Sequence, residues 1–309
     1  MRIAFLGTPE FAVAPLDALA RAGHEILCVV AQPDRPAGRG QTVRAPATRV
    51  WAGQHGVRVL QPEKVRDGRL AADLAGLEPE VLVVVAYGRM LGDDLLRLAP
   101  FGAVNVHASL LPRWRGAAPI QWALAAADAE TGVTVMQIDA GLDSGDILLQ
   151  RAIPIAADDT SLTLADRLAL LGATAIVEAL PLLAAGRLTP VRQDPARVTH
   201  ARIIEKEDGR LDFSLPAAQL AARVRAFTPW PGAFTTIRGK LLKVHRAEAT
   251  AEGGTSEAGR TLPSEHGWLV ACGGATTLRL LEVQLEGKRR MGADELRRGL
   301  GDPRPALGT

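Results

Sequence analysis

The opening residues, MRIAFLGTPEFAVAPLDALARAGHEILCVVA, constrain the fold more than any other stretch. Ile3 to Leu6 is a short apolar run that stops at Gly7. Thr8 can cap a helix with Pro9 at its first position, where a helix has no use for an N–H. Phe11, Leu16, Leu19 and Ala20 fall on one helical face, and Ile26 to Ala31 is a second apolar run. Strand, helix and strand in this order make a βαβ unit with a right-handed crossover and parallel strands. The expectation is an α/β chain with a doubly wound, mostly parallel sheet. A dinucleotide site would need GxGxxG at the first turn, and Gly7 lacks those partners.

Chemistry is expected at the carboxyl ends of such strands. The stretch NVHASLLPRWRGAAPIQWAL, Asn105 to Leu124, has the right form. Asn105 and His107 leave the Val104 to Val106 run two residues apart, so on a strand they project from the same face. A loop with Pro112, Arg113, Arg115 and Gly116 follows, then a helix after Pro119. Thr131 to Ile138 reads as another strand, and its exit, DAGLDSGD, carries Asp139, Asp143 and Asp146. One of these acids must compensate His107 if the imidazole is to work; the others are then caps or braces. Ser109 offers a rival, a serine hydrolase, but GxSxG is absent around it. Trp114 suits packing better than stacking, because tryptophan is mostly buried.

Further strands are expected at Val57 to Leu60, Val81 to Val85 and Ile147 to Ile155, with helices at Leu70 to Leu77 and Ser161 to Ala185. Ala86, Tyr87 and Gly88 stand at the end of the Val81 run, where Tyr87 either packs or lines a pocket. Gln32 to Arg49 reads as a loop rich in Pro and Gly, with Arg35, Arg39, Arg44 and Arg49 against Asp34. A solvated loop and a basic finger for phosphates both fit it. Arg187 to Asp208 loses periodicity and is expected to be a linker. Beyond it, a helix from Pro216 to Phe227 leads to the turn Pro229-Trp230-Pro231-Gly232. Strands at Ala233 to Ile237, Leu241 to Ala247, Trp268 to Cys272 and Thr276 to Val283 suggest a small all-β barrel. Thr250 to Glu265 between them is expected to be mobile. Lys240, Lys243, His245, Arg246, Lys288, Arg289 and Arg290 make this part locally basic, as a solvated face or an RNA contact.

Bulk properties bound these readings. A chain of 309 residues favours two domains. A net charge of +2 permits a nucleic-acid partner without arguing for one. Cys28 and Cys272 sit in apolar runs and read as buried thiols, and no metal-ligand spacing occurs. The first apolar run is too short for a signal peptide, and no run is expected to reach the length of a membrane span. A cytoplasmic, reduced compartment is the expectation.

These residues resemble a known family. Asn105 and His107, SLLPRWRGAAPIQ from Ser109, and GLDSGD from Gly141 to Asp146 are similar to the formyltransferases that use 10-formyltetrahydrofolate. FLGTPEFA near the start, QPDRPAGRG at Gln32 to Gly40, VVVAYGRML at Val83 to Leu91 and FTPWPGA at Phe227 to Ala233 also fit. The wording is most similar to members that formylate methionine on tRNA, and it covers most of the chain. The resemblance implies a Rossmann-like formyltransferase domain at residues 1–186, a linker at 187–208 and an open OB-like β-barrel at 209–309. It implies catalytic roles for Asn105, His107 and Asp143, the acid that follows Gly-Leu. Ser109, Leu110, Leu111 and Pro112, with Tyr87 and Gly88, would contact the folate. Arg35, Arg39, Arg44, Lys206, Lys243, Arg246, Lys288, Arg289 and Arg290 would meet tRNA. Arg113 and Arg115 could serve the folate tail or RNA phosphates. The implied partners are initiator methionyl-tRNA and 10-formyltetrahydrofolate as co-substrate. The residues themselves lead to the expectation of no metal, no membrane and, since no spare apolar surface stands out, a monomer. Two alternatives remain: a formyltransferase acting on a sugar nucleotide or purine precursor, and a non-catalytic RNA-binding module on the same fold.

Overall fold

The computed structural model describes residues 1–37, 42–251, 257–264, 267–301 and 305–308. The chain forms two compact units. One contains Met1–Pro119, Glu130–Pro154 and Ala165–Ala201; the other contains Ile120–Ala129, Ile155–Leu164 and Arg202–Thr309.

The first unit is built on a seven-stranded sheet among the described residues. Its order is Ile147–Pro154, Glu130–Gln137, Ala103–His107, Val81–Val85, Arg2–Gly7, Glu25–Val30, Val59–Leu60. The last five strands in that order run parallel, and Glu130–Gln137 and Ile147–Pro154 add an antiparallel edge. Val81–Val85 is buried at every residue, as expected of a β-branched strand covered on both faces. The helix Ser161–Ala184 buries Leu168, Ile176 and Leu180, and Gly172 brings it against Val106 and Val133. Glu178 of this helix pairs with Arg151 of the edge strand. By length and composition the helix is also apolar enough to cross a membrane, contrary to the expectation that no run reaches that length.

The second unit carries the helix Ala217–Ala226 and an antiparallel sheet. The strand path is Ala233–Ile237, Lys240–Thr250, Thr276–Leu285, Trp268–Cys272, Thr261–Leu262, with Met291–Gly292 also paired to Thr276–Leu285. Leu220, Val224, Ile237, Leu242, Trp268, Val270 and Leu278 share its core. Register shifts around Arg246 mark where the long pair of strands bends. The path is open at both ends among the described residues, so the expected barrel is a curled, open sheet.

Several local expectations need correction. Thr8 caps no helix: a 3-10 turn, Glu10–Ala12, precedes the helix Val13–Arg21, and the Thr8 hydroxyl accepts from the Gln32 amide at 3.3 Å instead. Residues 32–49 are not a continuous loop. Arg35–Ala37 pairs with Thr42–Arg44 as a hairpin, and the helix Ala47–Gln54 buries Thr48, Trp51 and Ala52. Nor is 187–208 slack. Val191 exchanges backbone hydrogen bonds of 2.8 and 2.9 Å with Ile147, and His200–Ala201 pairs in parallel with Arg115–Gly116. Of the stretch expected to be mobile, Thr261–Leu262 is a buried strand, and residues 252–256 and 265 lie outside the described residues. Burial pushes the Cys28 thiol up to about 12 and the Cys272 thiol up to about 11, so both are inert core groups.

Candidate active site

Asn105 and His107 occupy the carboxyl half of Ala103–His107, between a parallel neighbour, Val81–Val85, and an antiparallel one, Glu130–Gln137. Their side chains leave one face about 6.6 Å apart along the strand. Asn105 is half-buried, and among the described residues its carboxamide has no hydrogen-bond partner. His107 is only 6% exposed. Its Nε2 lies 2.9 Å from the carbonyl of Trp114, a residue held at φ +64°. A carbonyl can only accept, so Nε2 carries the hydrogen and Nδ1 keeps its lone pair. Nδ1 faces Asp143 Oδ2 at 3.7 Å. That distance is too long for a hydrogen bond and suits an ion pair once the ring gains a proton.

Asp143 is held from two sides. Its Oδ2 accepts from the Gly116 amide at 2.8 Å, and its carbonyl accepts from Gln193 Nε2 at 2.9 Å. Glycine is required at two places around it. A Cβ on Gly116 would fall 2.6 Å from the Ala201 carbonyl oxygen, and one on Gly145 would fall 1.9 Å from that of Gln137. The other two acids have different work. Asp139 Oδ1 accepts from the Gly141 amide at 3.0 Å and the Ser144 hydroxyl at 2.7 Å, bracing the loop. Asp146 is exposed, and its carbonyl accepts from the Gln137 amide.

The expected folate contacts divide. Ser109 is fully buried and its hydroxyl donates to the Arg113 carbonyl at 2.6 Å, so it is a loop brace and not a nucleophile. Leu111 and Pro112 are buried, while Leu110 is half-buried. Among Ser109, Leu110, Leu111 and Pro112, only Leu110 is partly open to solvent. The Tyr87 ring is 1% exposed and packs with Leu6, Val30 and Leu82, so it does not line a pocket. Ala86 and Gly88, on either side, are exposed at the strand exit. Arg113 stacks 4.5 Å over the half-buried Trp114 ring, and Arg115 Nε donates to Gln193 Oε1 at 2.9 Å.

The expected tRNA contacts are scattered. Arg35 and Arg44 are exposed and stand opposite each other in the hairpin, a like-charged pair that repels unless an anion joins it. Arg39 lies outside the described residues. Arg49 is taken by Asp34, whose carboxyl is held below its ordinary range by hydrogen bonds from Arg49 and Gln61. A cleft of about 770 Å³ opens beside the hairpin, lined by Thr8, Gln32, Arg35, Arg44, Val50 and Trp51 among others; Asn105, His107 and Asp143 do not line it. In the second unit Lys206, Lys243, Arg246, Lys288, Arg289 and Arg290 are all exposed. Arg290 donates twice to Glu282 at 2.5 Å, and Arg289 lies 3.3 Å from Glu295. Lys243, Arg246 and Lys288 form no ion pair among the described residues.

An amide donor, an imidazole and a carboxylate at one strand end suit acyl transfer, and they sit on a doubly wound sheet accompanied by a small antiparallel unit. Comparison with known proteins narrows that class. The formyl transferase family model matches residues 1–180, and the model for the formyl transferase C-terminal domain matches residues 203–301. Methionyl-tRNA formyltransferase of Anaeromyxobacter dehalogenans (strain 2CP-C) is 62% identical over 312 residues, covering 100% of both chains. The Myxococcus xanthus (strain DK1622) protein of the same name is 52% identical over 96% of this chain and 95% of its own. Among solved structures, the sugar 3N-formyl transferase WlaRD superposes with a TM-score of 0.67 over 94% of this chain and 99% of its own at 15% identity, a likeness of fold alone. Glycinamide ribonucleotide transformylase 1 from Symbiobacterium toebii gives 0.53 over 63% of this chain and 94% of its own at 25% identity. The chain belongs to the formyl transferase family, and it is an enzyme of that kind.

Gln193 was not among the residues singled out from the sequence. It lies in the aperiodic stretch after the long helix, and its partners Asp143, Gly145 and Arg115 are 50, 48 and 78 residues away. No local pattern could have marked it.

Proposed function

We infer that the chain transfers the formyl group of 10-formyltetrahydrofolate to the amino group of methionine on initiator tRNA, giving N-formylmethionyl-tRNA for translation initiation. The carrying observation is the 62% identity, end to end, with a relative named for that activity. The sugar formyltransferase, by contrast, is alike at 15%.

The site has what a folate formyl donor requires. Asn105 offers a carboxamide that no described residue occupies, and Ala86 and Gly88 leave backbone exposed at the neighbouring strand end. When bound, the folate supplies an activated formyl carbonyl. Asn105 donates to the oxygen of that carbonyl as the methionine nitrogen attacks, an interaction worth about 2.7–4 kcal/mol in comparable acyl transfers. His107 Nδ1 takes the amine proton directly or through water, and the bond from the formyl carbon to the folate nitrogen breaks, that nitrogen leaving with a proton as tetrahydrofolate. The proton taken up by Nδ1 lies opposite the Asp143 carboxylate, which pairs with the ring it charges. The Trp114 carbonyl keeps the other nitrogen protonated, so the ring holds one orientation through the cycle. The protein needs no nucleophile of its own, in keeping with the engaged Ser109 hydroxyl.

We place the acceptor arm of the tRNA along the rim that holds Arg35 and Arg44, with its methionyl end at Asn105 and His107, and its backbone against Lys206, Lys243, Arg246, Lys288, Arg289 and Arg290. The protein acts as a monomer in the cytoplasm, where charged tRNA and folate are both present. Purified protein, radiolabelled methionyl-tRNA and 10-formyltetrahydrofolate should yield N-formylmethionyl-tRNA. Absence of product above background, with the small amine of a sugar nucleotide formylated instead, would move the assignment to that branch of the family.

A further inference from the structure

Gln193 is 4% exposed, and its side-chain amide is satisfied at both ends. Nε2 donates to the carbonyls of Asp143 at 2.9 Å and Gly145 at 2.8 Å, and Oε1 accepts from Arg115 Nε at 2.9 Å. The orientation of the amide follows from its neighbours. A guanidinium can only donate and a carbonyl can only accept, so the reversed amide would face three clashes of role. The backbone on either side of Gln193 is anchored as well. Val191 bridges to Ile147, and the Asp194 side chain accepts from the Ala196 amide at 2.9 Å to start a 3-10 turn.

These bonds close a ring. Gln193 holds Arg115; the next residue, Gly116, donates its amide to Asp143 Oδ2; and the Asp143 carbonyl returns to Gln193. The ring encloses one residue of unusual backbone. Asp143 stands at φ +48°, a region sparsely populated by residues with a side chain. Such a conformation persists only where surrounding bonds over-determine it. Here those bonds grip the carbonyl and the carboxylate separately, and the oxygen that the Gly116 amide holds, Oδ2, is the one that lies 3.7 Å from His107 Nδ1. A displacement of about 1 Å at such a contact is enough to lower a rate about 10²-fold.

We propose that Gln193 is a positioning residue for formyl transfer: it acts through Asp143, fixing the carboxylate opposite His107 Nδ1, and touches neither substrate. The proposal rests on the formyl-transfer reading, in which Asp143 stabilises the charged ring.

The test uses the full chain. Gln193→Met keeps length and volume and removes every hydrogen bond; Gln193→Glu keeps an acceptor for Arg115 and turns an acceptor on the two carbonyls. Wild-type protein must first form N-formylmethionyl-tRNA, and its failure would sink the functional reading and not this one. Given activity, both variants should lower kcat about 10²-fold with KM for folate and for tRNA within about twofold. Asp143→Asn combined with Gln193→Met should be no slower than Asp143→Asn alone, because the second change has nothing left to act through. In substrate-free protein labelled with nitrogen-15 at histidine, Gln193→Met should move the His107 ring signals in the direction that Asp143→Asn moves them. Folded variants with unchanged kcat, additive losses in the double variant, or unmoved ring signals would each overturn the proposal. Unfolding of both variants would overturn it too, by assigning Gln193 to stability.

Discussion

The two units of this chain carry their polar groups in opposite ways. In the first, Asn105 and His107 leave one strand end and the Asp143 carboxylate faces the ring, in surroundings where His107 is 6% exposed and Asp143 is bonded through both its carbonyl and its carboxylate. In the second, cations are spread over exposed strands and turns, and some are already paired with neighbouring acids. The first arrangement is sensitive to distance and indifferent to salt. The second tolerates displacement and is screened as ionic strength rises. One suits chemistry on a single carbon; the other suits a long polyanion.

Short of removing the imidazole, this contrast can be broken most forcefully at Asn105. Asn105→Ala should cost about 10²–10³-fold in kcat while leaving the thermal midpoint near that of the wild type. A single-turnover assay at saturating folate reads it, and a loss confined to KM would place the amide in binding instead of at the reacting oxygen. A smaller effect of different kind is expected from the second unit. Lys243→Ala and Arg246→Ala should each raise KM for tRNA by several-fold at low salt, leave kcat alone, and lower the slope of log KM against log salt by about 0.7–0.9. Arg290→Ala should change that slope less, since its guanidinium is held by Glu282. Equal slopes for Arg290 and Lys243 variants would contradict the division between paired and free cations.

The smallest effect is on stability. Burial by itself would raise the Asp208 carboxyl, but hydrogen bonds from Arg202 and the Glu205 amide outweigh it and hold it below its ordinary value of 3.8. A carboxyl depressed by folding contributes stability that is complete above its unfolded value and lost as pH falls through its folded one. Asp208→Asn should therefore lower stability by about 1–3 kcal/mol at neutral pH and by progressively less below pH 3.8. Urea titrations across that range check the convergence of the two proteins; parallel curves would show that Arg202 does not hold the carboxyl.

The same contrast governs how much was legible beforehand. Strands that depend on local pattern were read to the residue, as at Val81–Val85, Ala233–Ile237 and Trp268–Cys272, where β-branched, aromatic and apolar residues are bounded by a turn. The strand position of Asn105 and His107 followed from alternation, and the choice of Asp143 over Asp139 and Asp146 came from family resemblance. Long-range interactions were invisible. The Trp51 and Thr48 burial that makes a helix of Ala47–Gln54 was hidden behind proline, glycine and arginine in the stretch before it. Tyr87 sat at a strand end, where a ring can turn toward ligand or core, and only packing against Leu6, Val30 and Leu82 decides which. Residues 187–201 have no period because they form no long element, yet their backbone and Gln193 hold the Asp143 loop.

The most direct test is the single-turnover rate of N-formylmethionyl-tRNA formation by wild type and His107→Ala, both saturated with folate and charged tRNA. A loss of about 10²–10⁴-fold in the variant, with both substrates still bound and the fold intact, is the predicted result. A variant that forms product at the wild-type rate would contradict the account, because the amine's proton would then be leaving by a route that bypasses the imidazole altogether.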